Sequence, residues 1–222
     1  HALLDATGAG NTAVGYTAML EETLGDNNTV VGYGAMNDSL AGLENDNNTF
    51  IGYNSGGGTW LTAASTGNTA VGSGTMAGAM NACSDNVVIG HTAGGAITTG
   101  DKNTCIGRAS GNHDIALATG YGNTLIGADT DTSGTGSTNQ IVLGRDAQGQ
   151  ADNSVTLGNA DVSEIYMAQN SGARIHCAKV DSGVATGTAA GGGIDAVSPT
   201  IKVGNYNSEL VTTVFIDIGA GS

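Results

Sequence analysis

The chain rewrites one short phrase nine times, and this repetition limits its fold more than any other feature. Residues 10 to 19 read GNTAVGYTAM. NNTVVGYGAM follows at 27, NNTFIGYNSG at 47 and GNTAVGSGTM at 67. Aligned on their shared glycine, the copies place Gly15, Gly32, Gly52, Gly72, Gly90, Gly107, Gly127, Gly144 and Gly158 at steps of 14 to 20 residues. A branched aliphatic precedes each of them: Val14, Val31, Ile51, Val71, Ile89, Ile106, Ile126, Leu143 and Leu157. One position earlier stand Ala13, Val30, Phe50, Ala70, Val88, Cys105, Leu125, Val142 and Thr156, nearly all apolar. Asparagine opens seven copies, as Asn11, Asn28, Asn48, Asn68, Asn86, Asn103 and Asn123, and Gln140 and Ser154 open the last two. Three residues after the glycine a small side chain recurs, from Ala18 and Ala35 to Ala147, with Asp161 as the exception.

Each copy reads as a short β-branched strand bounded by turn formers. Glycine closes the strand where the chain must turn through positive φ. Asparagine opens it because its amide can bond nearby backbone, or the same amide one rung away. Identical residues at fixed offsets are what stacked coils require, since like side chains then lie about 4.8 Å apart. The period fits one turn of a solenoid and falls well short of the roughly 40 residues of a propeller blade. The predicted fold class is therefore all-β, a parallel β-solenoid or β-roll of about nine coils over residues 1–162. Composition agrees: 38 glycines, 12% charged residues and 4% aromatics suit a tightly wound rod better than a thick globular core.

Side chains alternate across a strand, so the two apolar rows before the glycines face opposite ways. A narrow coil buries one row inside itself and leaves the other needing a partner. This two-faced burial predicts an oligomer.

The phrase NTAVG followed by a small residue, and the late copy NSVTLGNAD, resemble the repeats of trimeric autotransporter adhesin heads. Those heads are left-handed parallel β-rolls with three chains around one axis. The longer GNTAVGYTAM is similar to repeats of bacteriophage tail fibres and other virion fibres. DVSEIYMAQNSGARIHCAKV, residues 161 to 180, resembles the connector that follows such repeats. The resemblance covers about residues 10 to 180. Most coils carry three to six residues more than the adhesin pattern, and no coiled-coil stalk or anchor barrel is visible. It implies a homotrimer, intertwined or side by side, acting as a non-enzymatic virion fibre segment that supports or carries host-receptor binding. Its partners would be itself, other virion proteins and a host surface glycan or protein. The alternative is a bacterial trimeric adhesin at the cell surface, and a polysaccharide-degrading tailspike is less favoured.

The remaining chain divides into a β connector or neck at 163–180, a glycine-rich linker at 181–199 and two β-strands of a further module at 200–222. The longer coils carry polar inserts at 20 to 27, 37 to 47 and 54 to 67, expected to project as binding loops. Tyr16, Tyr33 and Tyr53 follow their glycines at one offset and predict an aromatic ladder, with Trp60 in the third insert. These four are candidate surface contacts for a glycan. The simpler reading is that the tyrosines cover the coil edge and Trp60 packs its loop down.

A net charge of −14 disfavours nucleic acid and anionic membranes as partners, and no apolar run is long enough to insert in a membrane as a helix. Cys83, Cys105 and Cys177 lack metal or disulfide spacing, and Cys105 holds a core position of the repeat. Asp129 and Asp131 sit two apart in a glycine-rich loop, but the complete calcium-loop pattern is absent and a solvated turn is the favoured reading. Glu21 and Glu22 read as an exposed turn. His91 and Arg108 continue the tyrosine offset, and His113 precedes Asp114. None of these forms a catalytic, cofactor or metal motif, so no cofactor is expected.

Overall fold

The computed structural model of the chain describes residues 8–20, 24–38 and 42–165. The connector from 166 on, the linker, the C-terminal strands, Glu21, Glu22 and Cys177 lie outside the described residues. The described residues belong to one compact unit, His1–Ile165.

Nine three-residue strands follow one another: β1 (Thr12–Val14), β2 (Thr29–Val31), β3 (Thr49–Ile51), β4 (Thr69–Val71), β5 (Val87–Ile89), β6 (Thr104–Ile106), β7 (Thr124–Ile126), β8 (Ile141–Leu143) and β9 (Val155–Leu157). They form one parallel sheet in sequential order, β1 to β9, each pairing only with its chain neighbours. The register follows the repeat: Ala13 opposes Val30, Val30 opposes Phe50, and so on to Val142 opposite Thr156. This is a β-solenoid of nine rungs, with eight steps between them. At about 4.8 Å per rung the sheet runs roughly 38 Å along the axis.

The middle residue of each strand points inward. Val30, Phe50, Ala70, Val88, Cys105, Leu125 and Val142 are buried, while the residues on either side of them are exposed or half-buried. The small residues three after the glycines are also inside, from Ala18 to Ala147. Polar ones there pair along the axis: the hydroxyls of Ser55 and Thr75 are 2.7 Å apart, and those of Ser110 and Thr130 are 2.8 Å apart.

Side-chain volume is shared between strand and turn. Four residues after the glycine, Met19, Met36 and Met76 are buried at positive φ, a conformation that costs a non-glycine residue some strain. Other coils place Gly56, Gly94 and Gly111 there. A Cβ on Gly56 would lie 2.7 Å from the Phe50 ring, and one on Gly111 would lie 3.0 Å from Cys105 Sγ. A large strand or insert side chain thus fills the space that methionine fills elsewhere.

The asparagines form a continuous internal ladder. Asn28, Asn48, Asn68, Asn86, Asn103 and Asn123 are buried, and each Oδ1 accepts a backbone N–H from the opening residue of the next coil. Each side-chain amide donates to a carbonyl of the following coil: Asn28 to Asn45, Asn48 to Ser65, Asn68 to Cys83, Asn86 to Gly100, Asn103 to Gly120 and Asn123 to Ser137. The ladder stops at Gln140, whose amide folds back onto Ser133. Left-handed backbone is also needed just before the ladder residue. Gly10, Asn27, Asn47, Gly67, Asp85, Lys102, Gly122, Asn139 and Asn153 all have positive φ, which explains the recurrent GN and NN pairs.

The third insert, 54 to 67, does not project as expected. Trp60 N–H donates to the Asp38 carbonyl, Leu61 to Met80, Asn81 to Thr98 and Thr98 to Ala118. Backbone ladders therefore continue through this insert and the matching segments of the later coils, and the longer coil makes a wider cross-section instead of a hanging loop. Unsatisfied backbone groups in a packed rod are costly, and stacking the inserts removes them.

Candidate interaction surface

The outer residues of each strand and the residue after the glycine form three parallel rows on the outside of the sheet. The first row is Thr12, Thr29, Thr49 and Thr69, then Val87, Thr104 and Thr124, then Ile141 and Val155. The second row is the aliphatic one just before the glycines, and of the two apolar rows it is the one the coil leaves outside. Val14 (57% exposed), Ile51, Ile89, Ile126 and Leu157 are open to solvent, and Val31, Val71, Ile106 and Leu143 are half-buried. Stacking on neighbours along the axis hides part of each side chain and leaves its outer end free. Neither row contains a charged side chain. In a chain of net charge −14, this strip is free of the carboxylates that would repel a second copy.

The glycines keep the strip close to the coil beneath. Gly15, Gly32, Gly52, Gly72, Gly90, Gly107 and Gly127 have φ between 135° and 146°. A Cβ on Gly52 would lie 2.3 Å from the carbonyl oxygen of Gly72, and the same clash recurs along the row. Coils approach so closely there that no side chain fits.

The third row begins with Tyr16, Tyr33 and Tyr53, each more than half exposed. Their rings stack on one another at 5.3 and 5.7 Å, with interplanar angles of 23° and 15°. Both faces of Tyr33 are thus covered by its neighbours. A sugar stacks on a free ring face, so the ladder offers mainly edges and hydroxyls. The row continues through Ser73, His91, Arg108, Ala128 and Arg145. Arg108 pairs with Asp129 and Arg145 with Asp146.

Trp60 is not a surface contact. It is fully buried, meets Phe50 edge-on at a centroid distance of 5.6 Å, and donates its indole N–H to the Gly56 carbonyl at 2.8 Å. Its insert closes over the core where Gly56, lacking a side chain, leaves room for the Phe50 ring. Asp129 and Asp131 are likewise not in a solvated turn, since both carboxylates are buried. Asp129 pairs with Arg108 through one oxygen, and its Oδ1 is, among the described residues, the buried side-chain polar atom without a hydrogen bond. Asp131 instead joins His113 and Asp114, a grouping that sequence spacing does not show because the next coil supplies it.

The two described cysteines, Cys83 and Cys105, are core residues. Burial pushes the Cys105 thiol up to about 12 and the Cys83 thiol up to about 11, so both are neutral and poor nucleophiles near pH 7. Among the described residues no helix is long and apolar enough to cross a membrane.

No protein-family model matches the chain, and none of the curated proteins searched matches it.

Proposed function

We propose that this chain is a non-enzymatic structural segment of a virion fibre. It works as a homotrimer whose solenoids pack their uncharged aliphatic strips against one another, and it supports or carries attachment to a host surface. The observation that carries this reading is the row from Val14 to Leu157, which faces outward on all nine rungs, exposed on five and half-buried on four. Isolated exposed aliphatics are ordinary on proteins, whereas a straight row of them running the length of a rod favours a partner of equal length and matching repeat. A second copy has both. Stacked coils with an internal amide ladder suit a part that bears load and resists proteolysis. Attachment would then fall to the outer edges, including the tyrosine ladder, or to other modules of the fibre.

The test is a pair of substitutions in neighbouring rows. Ile89→Asp places a charge on the outer strip and is expected to dissociate the assembly while circular dichroism keeps its β signal. Val88→Asp places the same charge inside the coil and is expected to abolish folding. An Ile89→Asp chain that keeps the wild-type mass in solution would remove the strip from the interface.

A further inference from the structure

Successive coils bring together three side chains that the repeat does not require. His113 and Asp114 lie in the turn after β6, and Asp131 lies in the turn after β7. Asp131 stands four residues after its glycine, where the six preceding coils place methionine or glycine. A buried carboxylate there replaces a thioether or nothing at all. Its two oxygens are fixed in direction, since the His113 N–H donates to Oδ1 at 3.1 Å and the Asp114 N–H donates to Oδ2 at 2.7 Å.

The side chains converge without bonding one another. His113 Nδ1 is 3.5 Å from Asp114 Oδ1 and 3.7 Å from Asp131 Oδ2. Both separations exceed the usual range of a hydrogen bond, roughly 2.7 to 3.2 Å. They match the edge of a ligand tetrahedron around a small cation, about 3.4 Å for bonds near 2.1 Å. All three donor atoms lie within 4.8 Å of one another. With the imidazole neutral, the set carries two negative charges. Asp129, the other acid of this turn, is engaged by Arg108 and stays outside the set.

We infer that His113, Asp114 and Asp131 form a binding site for one divalent transition-metal ion, with zinc as the type. The ion would take Nδ1 and one oxygen from each carboxylate, leave a position for water or a fourth ligand, and clasp the sixth coil to the seventh. One imidazole with two carboxylates suits such an ion better than calcium, which seeks six to eight oxygens. The backbone donors on Asp131 act as the outer shell that orients a ligand. The site is independent of the fibre reading and stands or falls separately.

The full chain, stripped with chelator, is titrated with cobalt(II) and then with zinc. The expected result is one cobalt per chain with visible ligand-field bands, displacement of those bands by zinc, and a zinc-dependent rise in melting temperature. His113→Ala is expected to weaken binding at least about tenfold, as is Asp131→Asn. His113 is exposed, so His113→Ala keeps the test decisive even where Asp131→Asn fails to fold. Absence of the bands at millimolar cobalt would overturn the inference. So would unchanged affinity in His113→Ala, which would place the ion at another histidine, or equal displacement by calcium.

Discussion

Asn68 Oδ1 accepts two hydrogen bonds from Asn86, one from the backbone N–H at 3.1 Å and one from the side-chain amide at 2.9 Å. The Asn68 amide in turn donates to the Cys83 carbonyl at 3.0 Å and to Asn48 Oδ1 at 3.2 Å. One side chain thus satisfies buried groups of both neighbouring coils. Asn68→Ala leaves the Asn86 backbone N–H and the Cys83 carbonyl without partners, while the Asn86 side-chain amide keeps the Gly100 carbonyl, at a cost of about 2–4 kcal/mol. Hydrogen exchange is the suitable readout, because a solenoid opens locally. The Asn86 amide is expected to lose protection first, while amides near β1 and β8 keep theirs.

Two glycines of the same chain are expected to answer the same substitution differently. Gly52 has φ +138 and a Cβ there would lie 2.3 Å from the Gly72 carbonyl oxygen, so Gly52→Ala should cost about 3 kcal/mol or more. Gly122 has φ +67 and open space around the added atom, so Gly122→Ala should cost only about 1 kcal/mol. Gly122→Asn should be nearly neutral, because Asn27, Asn47 and Asn139 hold the same conformation at the equivalent place. Melting temperatures of the three variants check the order. Equal losses for Gly52→Ala and Gly122→Ala would refute the close approach between coils.

Burial raises both described thiols from the ordinary 9.0, Cys83 to about 11 and Cys105 to about 12. Below pH 9 the thiols are neutral in folded and unfolded chains alike, so their full contribution is present there. Above it the unfolded chain ionises first, and stability falls as pH rises toward the folded values. In a Cys177→Ser background, a thiol reagent at pH 8 should leave the folded chain unlabelled and label two sites after denaturation. Cys105→Ala should flatten the alkaline loss of stability, though it lowers stability at every pH by opening a small cavity.

The strands, their register and the presence of two apolar rows on opposite faces were legible in the sequence because each depends on residue type at a fixed offset, but which row turns inward was not. Nine branched aliphatics before nine glycines leave little freedom in pairing. The glycines themselves were legible as turns, but the close approach of one glycine carbonyl to the next belongs to three-dimensional stacking. Inserts were harder to place. Trp60 packs its loop down, as the simpler reading had it, but nothing local to it shows that Gly56 clears space for the Phe50 ring it meets. Asp131 was misplaced in a solvated turn for a related reason. The donors that justify its burial, His113 N and Asp114 N, come from residues 17 to 18 positions away on another coil. Contacts along the axis join residues that are distant in sequence, and only the repeated ones announce themselves.

The central claim is that the strip from Val14 to Leu157 is covered by other copies of the same chain. Sedimentation equilibrium on the purified chain tests it most directly. The proposal predicts one species at three times the 21.8 kDa chain mass, persisting at micromolar concentration and in high salt, since the strip is uncharged. A single species at 21.8 kDa under those conditions would contradict it.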